Sequence, residues 1–317
     1  MQESYRDALG RVFERIGAEY ENLTVVTADV SKSTRSINFK RNCPGRFFSV
    51  GIAEADAVGI SAGIATWGDP VIFTAYSVFA VEKPFEQIRN MICYPDLNVK
   101  IVATHGGINV GEDGVTHQAI EDIAIMRALP NMRVFVPADP GEVWPAIKAA
   151  VETDGPVFVR LGRAVTKVLH DEEKTDFYPG KSELLRDGTD VCLMAAGMMV
   201  NESLKAAAIL QERGISASVL NLRSIKPLDV ECVSALAGRT RAVVVAEDHN
   251  RYGGAGSAVA EALAATCPVP MEQVALEDTF AESGRADLLL KKYGLTADHI
   301  CQSAIRAMER RDRIYAG

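Results

Sequence analysis

No apolar run in this sequence is long enough to cross a bilayer. The longest, Val191 to Val200, is about half of the roughly 20 residues that a spanning helix needs. The first residues, MQESYRDALG, carry charge at once and do not form the apolar core of a signal peptide. Cysteine is sparse: Cys43, Cys93, Cys192, Cys232, Cys267 and Cys301 are scattered, with no CxxC pair and no metal-ligand spacing. They read as reduced, mostly buried thiols of a cytoplasmic protein, with no metal site in this chain. Lys and Arg do not cluster along one expected face and the net charge is -8, which disfavours a nucleic-acid binder. Internal repeats and low-complexity tracts are also missing. What is present is globular in balance, with 48% hydrophobic and 24% charged residues. At 317 residues the chain has room for two domains.

The chain is organised around FFSVGIAEADAVGISAG, Phe47 to Gly63, a short apolar run that turns helical just after Glu54. Ala55, Gly59, Ala62 and Gly63 then fall on one helix face with almost no side chains, a surface that another backbone can approach closely. Before this stretch, Tyr5 to Glu21 reads as an amphipathic helix with Leu9, Val12, Phe13, Ile16 and Tyr20 on one face, and Leu23 to Ala28 as a buried strand. After it come strands at 71–75, 99–103, 132–136 and 156–161. Helices alternate with them at 77–93, 117–128 and 140–151, the first irregular because of Pro84. Continuously apolar strands alternating with helices predict an α/β fold built on a mainly parallel sheet covered by helices on both faces. Residues 164–189 read as a linker. A second, smaller α/β domain follows at 190–317, with strands at 191–195, 217–222, 242–246 and 273–276 and helices at 200–213, 230–236 and 257–264.

Ligands of such sheets bind beyond the carboxyl ends of the strands. Asp29, Glu54, Tyr76, His105 and Arg163 all fall just past expected strand ends. The loop 106–117, GGINVGEDGVTH, is the most informative local motif. Its glycines allow positive φ and close approach to a ligand, and Glu112, Asp113 and His117 bring titratable groups close to an expected helix start. Asp113 as a helix cap and His117 as a packing residue is the plainer alternative. With His105 preceding the loop, a site for hydroxyl recognition and proton transfer is favoured over a metal site. Tyr76 and Phe79 can clamp a flat ring, although two such aromatics alone are more often core. GGAGS at 253–257 lacks the rest of a dinucleotide fingerprint and reads as close helix packing. His249, in AEDH, has no assigned role.

VGIAE at 50–54, GEDGVTHQ at 111–118 and VRLGR at 159–163 together resemble the C-terminal half of a transketolase, in that family's order and roughly its spacing. The resemblance covers nearly the whole chain, as a pyrimidine-binding domain at 1–163 and a transketolase C-terminal domain at 190–317. It implies thiamine diphosphate as cofactor and transfer of a two-carbon ketol unit from a ketose to an aldehyde. Glu54 would then bond the aminopyrimidine ring nitrogen and relay the proton that activates the thiazolium carbon. Tyr76 and Phe79 match the aromatics packed on the pyrimidine, and Asp29 the acid at the cofactor edge. His105, Asp113 and His117 match groups that bond substrate hydroxyls and help move protons. Arg6, Ser33 and Arg163 match positions gripping a sugar phosphate.

The family's diphosphate and Mg²⁺ are held by a domain carrying a GDG motif, which occurs nowhere in this sequence. The resemblance therefore implies an N-terminal partner subunit and an α2β2 heterotetramer, inactive without the partner. Deoxyxylulose-phosphate synthases share Glu54, the loop and Tyr76 but usually carry arginine at the position of His105. The β subunits of 2-oxo acid dehydrogenases lack the GEDGxTHQ form of the loop. A scaffold partner without chemistry has no reason to keep Glu54, His105, Asp113 and His117 together. Pentose phosphates, a branched sugar phosphate and a sulfonated sugar stay open as substrates.

Overall fold

A computed structural model describes residues 1–315. Its strands are β1 (Gln2–Ser4), β2 (Thr24–Thr27), β3 (Phe47–Ser49), β4 (Val71–Tyr76), β5 (Val99–Thr104), β6 (Arg133–Phe135) and β7 (Val157–Arg160). The chain continues through β8 (Val165–Lys167), β9 (Glu183–Arg186), β10 (Val191–Ala195), β11 (Ala217–Asn221), β12 (Ser224–Lys226), β13 (Val243–Asn250) and β14 (Met271–Leu276). The first sheet has the order β12-β6-β7-β5-β4-β2-β3, the second β14-β13-β10-β11-β9. Pairing from β2 to β7 is parallel throughout, as is that among β10, β11, β13 and β14. Strands β12 and β9 join as antiparallel edges.

The expected two-domain α/β architecture with mainly parallel sheets is the one observed. Val25, Val26, Ile72, Phe73, Ile101 and Val102 are buried because the central strands face helices on both sides. Tyr5, Leu9, Val12, Phe13 and Ile16 of the helix Tyr5–Glu19 pack on one face of the first sheet. The opposite face shares one continuous core with the second domain, from Phe73, Ile101 and Val134 through to Met194, Leu220 and Val245. Full burial of one such aliphatic side chain contributes about 1.5–3 kcal/mol.

Several local expectations change. The segment 164–189 contains two strands: β8 pairs with β1 at the N-terminus, and β9 edges the second sheet. Strand β12, which follows β11 in the second domain, crosses back to complete the first sheet against β6. The helix expected from His117 begins at Asp122. Residues 118–121 stay out of the helix, where Gly107 N donates to Ala119 O and Asn250 N to Ile120 O. Strand β13 runs on to Asn250, so His249 lies within it, fully buried. Helices Ala286–Lys292 and Ala297–Tyr315 close the second domain. Among the described residues no helix is long and apolar enough to cross a membrane.

Candidate active site

The carboxyl ends of β2, β3, β4, β5 and β7 form one rim, and the chain leaves each of them at a candidate residue. Glu54 opens the helix Glu54–Ala65 in its first turn, where the dipole favours an acid. Its side chain is buried, the residue being 6% exposed, and Oε2 accepts a hydrogen bond from Lys83 Nζ at 3.0 Å. Tyr76 ends β4, and Phe79 stands one turn later with its ring centroid 6.0 Å away at 28°. His105 follows β5 in a left-handed conformation, φ 65°, that turns its ring onto Tyr76, centroids 3.9 Å apart. His117, brought in by the short 3₁₀ turn Val115–His117, meets Phe79 edge-on at 5.2 Å and Tyr76 at 6.1 Å.

These five side chains make one constellation: a buried acid, two stacked aromatics and two imidazoles. Burial first, then the positive charges of Arg163 and Arg6 and the neighbouring His117, push the His105 imidazole down to about 3. His105 is therefore neutral throughout the physiological range and acts as a hydrogen-bonding group. Its Nδ1 lies 2.8 Å from Thr104 Oγ1. With that hydroxyl donating, the ring proton stays on Nε2, available to an oxygen acceptor.

Arg6 and Arg163 share a cleft of about 770 Å³ between the two domains, lined also by Arg35, Asn109, Glu112 and Arg285. Among the described residues the buried Nε of Arg6 has no hydrogen-bond partner. Arg163 donates to Val110 O and lies 3.7 Å from Glu112, so part of its charge is already committed to the loop. Arg35 pairs with Asp7 at 2.9 Å.

Three candidates stand apart from the constellation. Asp29 is exposed after β2 with φ 58°, and Ser33 is half-buried in the following turn. Asp113 is exposed at the end of a 3₁₀ segment and does not cap a helix, since the next helix has Glu121 at its N-cap. Lys83 was missed by sequence reasoning. It sits in the irregular VEKPF segment, where nothing in the pattern aims a side chain back toward Glu54. The GGAGS turn does start a helix, but the anion on its N-terminus is internal. Glu247 accepts from Ala255 N at 2.7 Å and Gly256 N at 2.8 Å.

Residues 2–167 match the family Transketolase, pyrimidine binding domain, and residues 180–300 match Transketolase, C-terminal domain. The chain is 43% identical over 307 residues to the "Putative transketolase C-terminal section" of Methanocaldococcus jannaschii, covering 96% of each sequence. It is 39% identical over 292 residues to the 6-deoxy-6-sulfo-D-fructose transketolase subunit SqwH of Clostridium sp. (strain MSTE9), covering 92% of this chain and 90% of the relative. A solved structure described as split gene transketolase, inactive beta4 tetramer, superposes with a TM-score of 0.89 at 42% identity, over 97% of this chain and 99% of that one. The chain belongs to the transketolase family, whose domains imply dependence on thiamine diphosphate.

Proposed function

We propose that this chain is the C-terminal subunit of a two-chain transketolase that moves a two-carbon ketol unit from a phosphorylated ketose to an aldehyde. The observation that carries the reading is the gathering of Glu54, Tyr76, Phe79, His105 and His117 at one rim. The donor set fits an aminopyrimidine, with half-buried aromatic faces to take the ring and a buried carboxylate to bond a ring nitrogen. Thiamine diphosphate, when bound, supplies the nucleophilic carbon and the electron sink that such a bond cleavage needs. Glu54 holds and returns a proton at its carboxylate. The low-exposure setting keeps that proton from exchanging with water. Neutral His105 donates to a sugar oxygen, and His117, edge-on to Phe79, serves the substrate beside it. Arg6 and Arg163 take the terminal anion together with Ser33, Asp113 bonds a substrate hydroxyl, and Asp29 stands at the cofactor edge.

A separate N-terminal subunit would hold the diphosphate through Mg²⁺ in an α2β2 assembly. Large apolar side chains flanking the helix Glu54–Ala65 support a docking face: Ile52, Trp67 and Tyr94 are more than three-quarters exposed, at 78%, 88% and 85%. Gly63 on that helix has open space beyond it. A relative described as an inactive β4 tetramer also favours dependence on another chain.

Reconstitution tests the reading. The chain alone is expected to give no ketol transfer with thiamine diphosphate and Mg²⁺, and the assembly with its partner to give turnover. In that assembly Glu54→Gln should cost about 10²–10⁴-fold in kcat, the usual contribution of a proton-transfer group. Ketol transfer by the lone chain, or a Glu54→Gln variant within a few-fold of wild type, would overturn it.

A further inference from the structure

Three glycines of the loop 106–117 are pressed against the second domain. Gly107, Gly111 and Gly114 have φ of 78°, 78° and 80°. A Cβ on Gly107 would fall 2.0 Å from Asp248 Oδ2, and one on Gly114 2.3 Å from Ser283 Oγ. At Gly111 the neighbour is the Gly284 carbonyl, 3.3 Å away. The loop that carries His105 and His117 is thus pressed against β13 and the segment 283–286.

One carboxylate dominates that contact. Asp248, 2% exposed, accepts from Arg160 Nη1 through Oδ1 at 2.7 Å and from Asn109 Nδ2 through Oδ2 at 2.8 Å. Asn109 Nδ2 also donates to Gly106 O at 3.0 Å, the carbonyl that follows His105. Asn109 Oδ1 accepts from the backbone N–H of Arg163 at 2.8 Å and of Ala164 at 3.1 Å. On the other side, Arg160 Nε bonds both oxygens of Asp122, at 2.9 and 2.8 Å, and Asp122 accepts from Ser77, the neighbour of Tyr76, at 2.6 Å. His105, Arg163 and Tyr76 leave three different strands, and Asp248 is the node through which all three are braced.

We propose that Asp248, supplied by the C-terminal domain, is a positioning residue that fixes His105 and Arg163 relative to each other through Asn109. It touches neither substrate nor cofactor. The catalytic consequence rests on the transferase reading above; the structural consequence does not. The C-terminal domain thereby acquires a part in the chemistry, as the support against which the loop is set.

The test uses the assembly with the partner subunit. Asp248→Asn keeps an acceptor for Arg160 but presents an N–H₂ to the N–H₂ of Asn109, so it breaks mainly one leg of the node. Asn109→Ala removes the same leg from the loop side, together with the bonds of Asn109 to Gly106, Arg163 and Ala164, and is the second variant if Asp248→Asn does not fold. Either variant is expected to raise amide hydrogen exchange about tenfold or more in residues 105–117 and 163–164, with exchange in the sheets unchanged. Displacements of about an ångström in a reacting site cost up to about 10²-fold, so kcat should fall at least about tenfold while cofactor affinity stays within about twofold. The two losses should combine less than additively, because the Asp248–Asn109 bond is absent from either variant. Unchanged loop exchange and kcat in either folded variant would overturn the proposal. So would a loss of kcat accompanied by equal losses of cofactor affinity and of protection throughout the molecule. If wild type shows no ketol transfer, the transferase reading fails, and loop exchange alone decides the role of Asp248.

Discussion

The ammonium of Lys83 stands 3.0 Å from Oε2 of Glu54, and the same nitrogen lies 4.9 Å from the centre of the Phe79 ring. The acid expected to serve the cofactor therefore has a cation of its own chain against it. Lys83 is half exposed, at 50% of its side chain, while that of Glu54 is 7% exposed, so the ammonium can turn to water and leave the carboxylate in place. A pair with both partners exposed is worth about 0.2–1 kcal/mol, and the buried carboxylate puts this one at or above the upper end.

Lys83→Met should tighten binding of thiamine diphosphate to the assembled protein by about fivefold or more, because it removes the cation that competes for Glu54. Titration calorimetry reads it directly. Weaker binding would show that the ammonium assists the ligand instead of competing with it.

Arg6 offers a different signature from Arg163. Its buried Nε has no partner among the described residues, and on the proposed reading the substrate anion would complete it. A hydrogen bond to a charged group contributes about 1.5–3 kcal/mol, and Arg6→Ala should raise KM for a phosphorylated ketose roughly tenfold or more with kcat little changed. The unphosphorylated sugar should show no such increase. Arg163→Ala should lower kcat as well, since its side chain also holds the loop carbonyl of Val110. Steady-state kinetics with the two sugars separates these outcomes.

His170 predicts a pH dependence of stability. Burial alone would lower its proton affinity, but hydrogen bonds to Asp139 and Glu183 and the charge of Glu142 raise it to about 10. A histidine raised above its unfolded value of about 6.5 adds stability that is complete below that pH and is lost as pH climbs through 10. His170→Gln should therefore lower Tm at pH 7 and flatten the decline of Tm between pH 7 and 10. Leaving a buried ion without its partner costs roughly 3–5 kcal/mol. Thermal melts across that pH range measure both effects.

Much of the first sheet was legible because strands buried on both faces must be apolar throughout, as in LTVVTA and VIFTA. Glu54, Tyr76 and His105 were legible for a related reason, since each interrupts an apolar run where a strand ends. The expectations that failed were those set by distant contacts. Residues 118–121 stay out of the helix because of bonds to Gly107 and Asn250, and no local pattern encodes either partner. Helix Ala297–Tyr315 buries Ile300, Ala304 and Ala307, a face too small in side-chain volume to stand out among its charges. Asp248 lies just past the strand expected at 242–246, and nothing near it in sequence points to its contact 139 residues away, with Asn109.

Strand β12 has a consequence for how this polypeptide can be divided. Ser224 to Lys226 belong by sequence to the second domain but close the first sheet beside Arg133–Phe135. A fragment ending before β10 would leave β6 with a bare row of backbone donors and acceptors, a template for pairing with foreign chains. The two folds are sewn together by this thread as well as glued by their shared core. They should melt as one cooperative block, and excision of either half should yield an aggregating fragment.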